Sequence, residues 1–166
     1  MATLILVLVF CQALGAFAGA FAALWGEIVY VLAIRDGKID SAERAHLRVI
    51  GNGLRFGMML LLLSSLALVV ISYLLHGEVQ PAMTASYWIF MTFAVLIIII
   101  SWALARRNIP FALGSASALA AWWLLAYLTL GQLPVSYGAA AALYVVLTAV
   151  LYGVFHYLRI LAQKIK

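Results

Sequence analysis

Residues 85–107 read ASYWIFMTFAVLIIIISWALARR, and the contrast between the apolar run and the two arginines closing it decides what kind of protein this is. No charge interrupts Ala85–Ala105. A helix needs about 20 such residues to cross the ~30 Å hydrocarbon core of a bilayer. Working outward, similar runs recur along almost the whole chain. They lie at about 2–25, extending apolar to 34, and at 54–75, 85–105, 111–130 and 135–158. Pro81, Pro110 and Pro134 all fall between runs, where a residue that cannot continue a helix belongs.

The composition agrees. The chain is 68% hydrophobic and 9% charged, against roughly a quarter charged in soluble domains. That much apolar surface needs lipid as its solvent, and in lipid a helix satisfies its own backbone groups. The expectation is an all-α, five-span transmembrane bundle in a single membrane domain, 1–166. The first run lacks a charged leading segment and continues far past a signal-peptide core, so it reads as a mature helix. Cys11 is the only cysteine, which excludes an internal disulfide.

Orientation follows from the bases. Arg35, Lys38, Arg44, Arg48 and Arg55 fall in the first connection, Arg106 and Arg107 in the third, and Arg159, Lys164 and Lys166 at the end. All ten Lys and Arg therefore lie on one side. The positive-inside rule makes that side the cytoplasm, with the N-terminus outside and the C-terminus inside. Trp25, Trp102 and Tyr157 mark the inner boundary, and Tyr73, Tyr87, Trp88 and Tyr137 the outer one. A net charge of +5 then reflects contact with anionic lipid at the inner surface and calls for no nucleic acid. The expected address is a bacterial cytoplasmic (inner) membrane.

The charged stretch RDGKIDSAER, 35–44, has the D-G-x-x-D-x-x-E spacing of half a calcium loop. The other half is missing, since the first ligand positions would be Leu32 and Ile34, and three bases crowd the site. As a turn it makes sense. Asp36-Gly37 is a turn signal, and Asp40 to Glu43 has capping-box spacing for a helix beginning near Ser41. Helices one and two would then each be about 50 Å long, too long for the membrane. They are expected to project as a cytoplasmic hairpin over about 26–53, with IVYVLAI, 28–34, apolar on all faces and only partly covered.

Glu27 is the only acid inside a long apolar run, which raises the question of function. Counting the two helices inward puts Arg55 level with Gly19 or Ala20, and Glu27 level with Arg48. The expectation is a structural ion pair at the inner boundary with Arg48, Arg55 or His46 as partner. His156, at the inner end of helix five, joins the same polar cluster. Paired haem ligation by His46 and His156 is the sharper alternative. No His, Cys or carboxylate set has metal-ligand spacing, so no metal is expected.

Gly15 and Gly19 form a G-x-x-x-G in an apolar helix, a face that packs another helix either within the chain or in a dimer. Gln12, Trp122 and Trp123 lie near mid-span and want hydrogen-bond partners, as in a pocket for a quinone or a lipid. No phosphate loop, nucleophile elbow or zinc-protease motif occurs. No catalytic residue is identified, and whether the chain is an enzyme stays open, the reading leaning toward a non-enzymatic protein.

QALGAFAGAFAALW, 12–25, followed by a charged turn and LRFGMMLLLLSSLALVV, 54–70, resembles the small multi-helix bacterial membrane proteins of the copper-resistance-D and related families. The resemblance covers roughly residues 10–75 and rests on hydrophobic pattern and glycines. It implies a membrane helix architecture. In several relatives a histidine precedes the Leu-Gly pair and is implicated in haem or copper handling; here Gln12 stands instead, so the metal chemistry does not carry over.

Three functions are thus open. The first is an accessory or self-associating membrane protein, a homo-oligomer or the partner of another membrane protein. The second is a small-solute permease or channel, with a water-filled cavity lined by Gln12, Ser64, Ser65, Thr92 and Ser117. The third is a haem- or quinone-binding redox protein.

Overall fold

The computed structural model describes residues 2–33, 41–75, 81–131 and 136–164. Its helices are α1 (Ala2–Ala33), α2 (Ser41–Leu74), α3 (Ala85–Ala105), α4 (Phe111–Thr129) and α5 (Tyr137–Lys164), with a 3-10 turn at Pro81–Met83. All five are long and apolar enough to cross a membrane, which makes this an all-α, multi-pass bundle. The turn at 34–40, with its expected cap Asp40, lies outside the described residues, as does His76.

Local chemistry sets several boundaries. Thr84 caps α3 by accepting from the Tyr87 amide at 3.3 Å, and Ser136 does the same for the Ala139 amide of α5. The chain leaves α3 through a Schellman-type turn. Arg107 takes a positive φ of 57° while the Asn108 amide donates to the Ala103 carbonyl at 2.9 Å. Gly51-Asn52-Gly53 does not interrupt α2, which runs unbroken from Ser41. The fifth helix runs on to Lys164 rather than stopping near 158, because bases at a helix C-terminus complement its dipole.

α4 is the centre. It packs against α1, α3 and α5, while α2 packs on α1. Half of the α4 span is buried against 11% of the α5 span. Its sequence explains this. Gly114, Ala116, Ala120 and Ala121 are buried, so three neighbours can approach closely. The main core cluster joins Ala16 and Ala20 of α1, Leu61 of α2, Ile89, Phe93 and Ile97 of α3, and Trp122 and Leu125 of α4.

The α1–α2 register is close to the one expected. A Cβ at Gly15 would meet the Gly57 carbonyl and the Leu61 amide at 2.8 Å, and one at Gly26 would meet Ile50 at 3.2 Å. Residues 26–33 are covered on one side. α1 stays against α4 almost to its end, with the Tyr30 ring 4.0 Å from that of Phe111, the first residue of α4. Ala33 is buried, while Ile28 and Leu32 remain exposed. Aromatic contact with α4 covers one side of this segment, a contact that no pattern within the segment announces.

Candidate functional site

Glu27 is 4% exposed and forms an ion pair with Arg159 of α5. This corrects the expected pairing with Arg48, Arg55 or His46. Those three lie on α2, yet the Glu27 side chain turns to the α4–α5 side of α1. The guanidinium is held from several directions. Its Nη2 also donates to Ser115 Oγ at 3.2 Å, and it lies 5.4 Å from the Tyr30 ring centroid and 5.7 Å from that of Phe111. A buried charge pair needs such supplementary contacts to offset desolvation. Two atoms of the pair stay unsatisfied: Glu27 Oε2 and Arg159 Nε are buried without a hydrogen-bond partner among the described residues.

The pair lies one turn inside the start of α4, since Ser115 follows Phe111 by four residues. α4 is about 28 Å long, close to the hydrocarbon thickness. The carboxylate is therefore level with the second turn of α4 rather than with its first residue.

Glu27 also lines a cavity of about 610 Å³. α1 and α4 make its floor, and α2 and α3 its walls. At the deep end Met58, Ile97 and Trp122 close it, and at the other end it reaches Leu47, Leu104 and Phe111. It exists because its lining is small: Ala22, Gly26, Gly51, Ser101, Ser115 and Ala118 leave space where larger side chains would meet. Beyond Trp122 the same helices are closed by Leu61, Phe90 and Phe93. The lining is predominantly apolar with few polar groups, the usual character of a small-molecule site.

Arg55 lines the cavity too. It precedes Gly57, whose Cβ position abuts Gly19, which in turn abuts the Trp122 ring near the middle of α4. The base expected at the inner boundary is thus close to mid-bundle. It is exposed and makes no hydrogen bond or ion pair among the described residues.

The remaining candidates are dispersed. His46 accepts from Trp25 Nε1 at 3.2 Å, whereas His156 stacks on Tyr152 of its own helix. Their separate partners give no paired ligation, and among the described residues no group of three metal ligands exists. Arg48 is exposed and unpaired among the described residues. Gly15 and Gly19 both pack within the chain, on α2 and α4, so the small-residue face is already occupied. Trp122 lines the large cavity and Trp123 a separate one of about 120 Å³, and Gln12 lines neither. The three do not share a pocket, because successive residues on α4 face different neighbours.

Three of the hydroxyls considered for an aqueous path are used locally. Ser64 donates to the Leu60 carbonyl, Thr92 to the Trp88 carbonyl, and Ser117 is hydrogen-bonded to the Tyr144 hydroxyl. Ser65 is buried and has no hydrogen-bond partner among the described residues.

Sequence reasoning missed Arg159, Ser115, Tyr30 and Phe111 as a unit. Arg159 counted only as a topology charge, although it stands between Leu158 and Ile160 in an apolar context. No spacing rule links positions 27 and 159. No family model matches this chain, and no curated protein or solved structure matches it either.

Proposed function

We propose that this protein is a non-enzymatic binding protein of the cytoplasmic (inner) membrane that holds a membrane amphiphile in the groove between α2 and α3. The N-terminus is outside and the bases are inside, so the groove serves the inner leaflet. One observation carries the reading: a cavity of about 610 Å³, apolar along its length, has a buried carboxylate and an unpaired arginine among its lining. An apolar solute would need neither charge, and a freely water-soluble one would not need the apolar walls.

The test is to purify the protein in mild detergent, identify what is retained by native mass spectrometry, and repeat with Ala118→Phe. Ala118 lines the groove and is half-buried, so the larger ring fills space rather than displacing core. Retention of an amphiphile by the parent and its loss from the variant support the reading. Equal retention by both removes the groove as the site.

Accessory or self-associating action is the second reading. It no longer draws on the small-residue face of α1, and is favoured instead by α5, which is held mainly on one side by α4 and exposes Val145, Val146 and Val150. Crosslinking in native membranes distinguishes it, a purely monomeric pattern counting against it.

A further inference from the structure

The polar groups of the groove stand in a definite order along its length. Nearest the basic end is Glu27, beside Gly26, which lies against Ile50. Deeper along α2 comes Arg55, and deepest are Met58, Ile97 and Trp122, all apolar. A helical side chain leans toward its helix N-terminus. For α2 that is the basic end, so from the Arg55 position a side chain following this tendency reaches back toward the level of Glu27.

Each polar group has an unmet requirement. Glu27 and Arg159 neutralise each other, which leaves Arg55 as the uncompensated charge on the lining. An arginine within an apolar bundle calls for an anion, and the planar guanidinium matches two oxygens of a phosphate. Glu27 Oε2 is buried and accepts no hydrogen bond among the described residues. Such an oxygen calls for a donor.

We infer that the groove takes a phosphodiester amphiphile whose head ends in a hydrogen-bond donor, ammonium or hydroxyl. The phosphate sits on Arg55, the terminal donor reaches Glu27, and the chains lie along Met58 and Ile97. The order of donor, phosphate and chain in such a lipid is the order of Glu27, Arg55 and apolar wall in the groove. The inference rests on the amphiphile reading above and names the head. A trimethylammonium head has no donor to offer, and a diacylglycerol or a quinone brings no phosphate.

The experiment is native mass spectrometry of the full chain in detergent, titrated with lipids of identical acyl chains. Their heads are phosphoethanolamine, phosphoglycerol, phosphocholine and none, the last being diacylglycerol. The first two are expected to be retained at least about fivefold more than the last two, a discrimination worth about 1 kcal/mol. Their ratio to each other shows whether ammonium or hydroxyl is the better donor. Arg55→Ala should bring both down to the diacylglycerol level, and its exposed position keeps the fold intact, as a thermal melt would verify. Glu27→Gln should bring both to within about twofold of phosphocholine. Should Glu27→Gln fail to fold, stepwise N-methylation of phosphoethanolamine, bound to the unaltered protein, makes the same comparison and should show a drop at the third methyl. Equal retention of all three phospholipids by the parent overturns the head assignment. The amphiphile reading then still stands if Ala118→Phe loses them, and falls if Ala118→Phe retains them as well.

Discussion

The two halves of α1 are made of similar residues and end in opposite circumstances. From Gly15 to Ala20 small side chains are met at once by Gly57, Leu61 and Trp122, and the half is closed. From Ala22 to Gly26 small side chains recur, yet there a cavity remains between α1, α2, α3 and α4. The difference lies in what faces them. Leu61, Phe90, Phe93 and Trp122 are large enough to fill the first space, whereas Gly51, Ser101, Ser115 and Ala118 are too small to fill the second. A stripe of small residues therefore means close packing or a pocket according to its partners.

The sharpest way to break this contrast is to place the same side chain in both halves. Gly19→Leu should abolish a monodisperse folded peak in size-exclusion chromatography, because even a Cβ at Gly19 collides with the Trp122 ring. Ala118→Leu should elute as the parent does and change stability by less than ~1 kcal/mol, since it grows into the cavity. Similar damage from both would mean that the open half is not open.

Next in size is the ion pair that anchors the open half. Glu27→Ala or Arg159→Ala should each cost about 3–5 kcal/mol, because the surviving charge is left buried without its partner. Replacing both together, as Glu27→Leu with Arg159→Met, should recover most of that loss by thermal melting in detergent. A double variant no better than either single one would show that the pair does more than neutralise itself.

The smallest effect tests a boundary outside both halves. Arg107 occupies a left-handed conformation at the end of α3. Arg107→Gly should raise stability by about 1 kcal/mol by removing the Cβ penalty, a few degrees in a thermal melt. No gain would mean that the arginine side chain repays its own strain.

Much of the architecture was legible without tertiary information. Uninterrupted runs such as Ala85–Ala105 name their own state, because lipid admits no other way to satisfy the backbone. Helix starts were readable at Ser41 and Ala85, and so was the approximate α1–α2 register, by counting the two helices inward, with the close backbone contacts of Gly15 and Gly57 then agreeing with it. The polar site was readable in its first member alone. Glu27 announced itself by being an acid in an apolar run, but its partner is 132 residues away on a helix that does not follow it in sequence. Counting along two consecutive helices necessarily offered α2 bases instead. The apolar 28–34 stretch likewise called for cover from outside the hairpin, and only the Tyr30–Phe111 contact shows that α4 supplies part of it.

By itself the sequence determined five apolar helices, their approximate ends and the gathering of bases at one end, because hydropathy, caps and charge act over a few residues at a time. The tertiary structure alone decided that α4 sits at the centre, that Arg159 rather than an α2 base neutralises Glu27, and that Arg55 reaches a cavity near mid-bundle. Those outcomes depend on which helix faces lie together. In a bundle whose helices are apolar nearly all round, no amphipathic stripe marks the inward face, so side-chain volume and the need to pair buried charge make the choice.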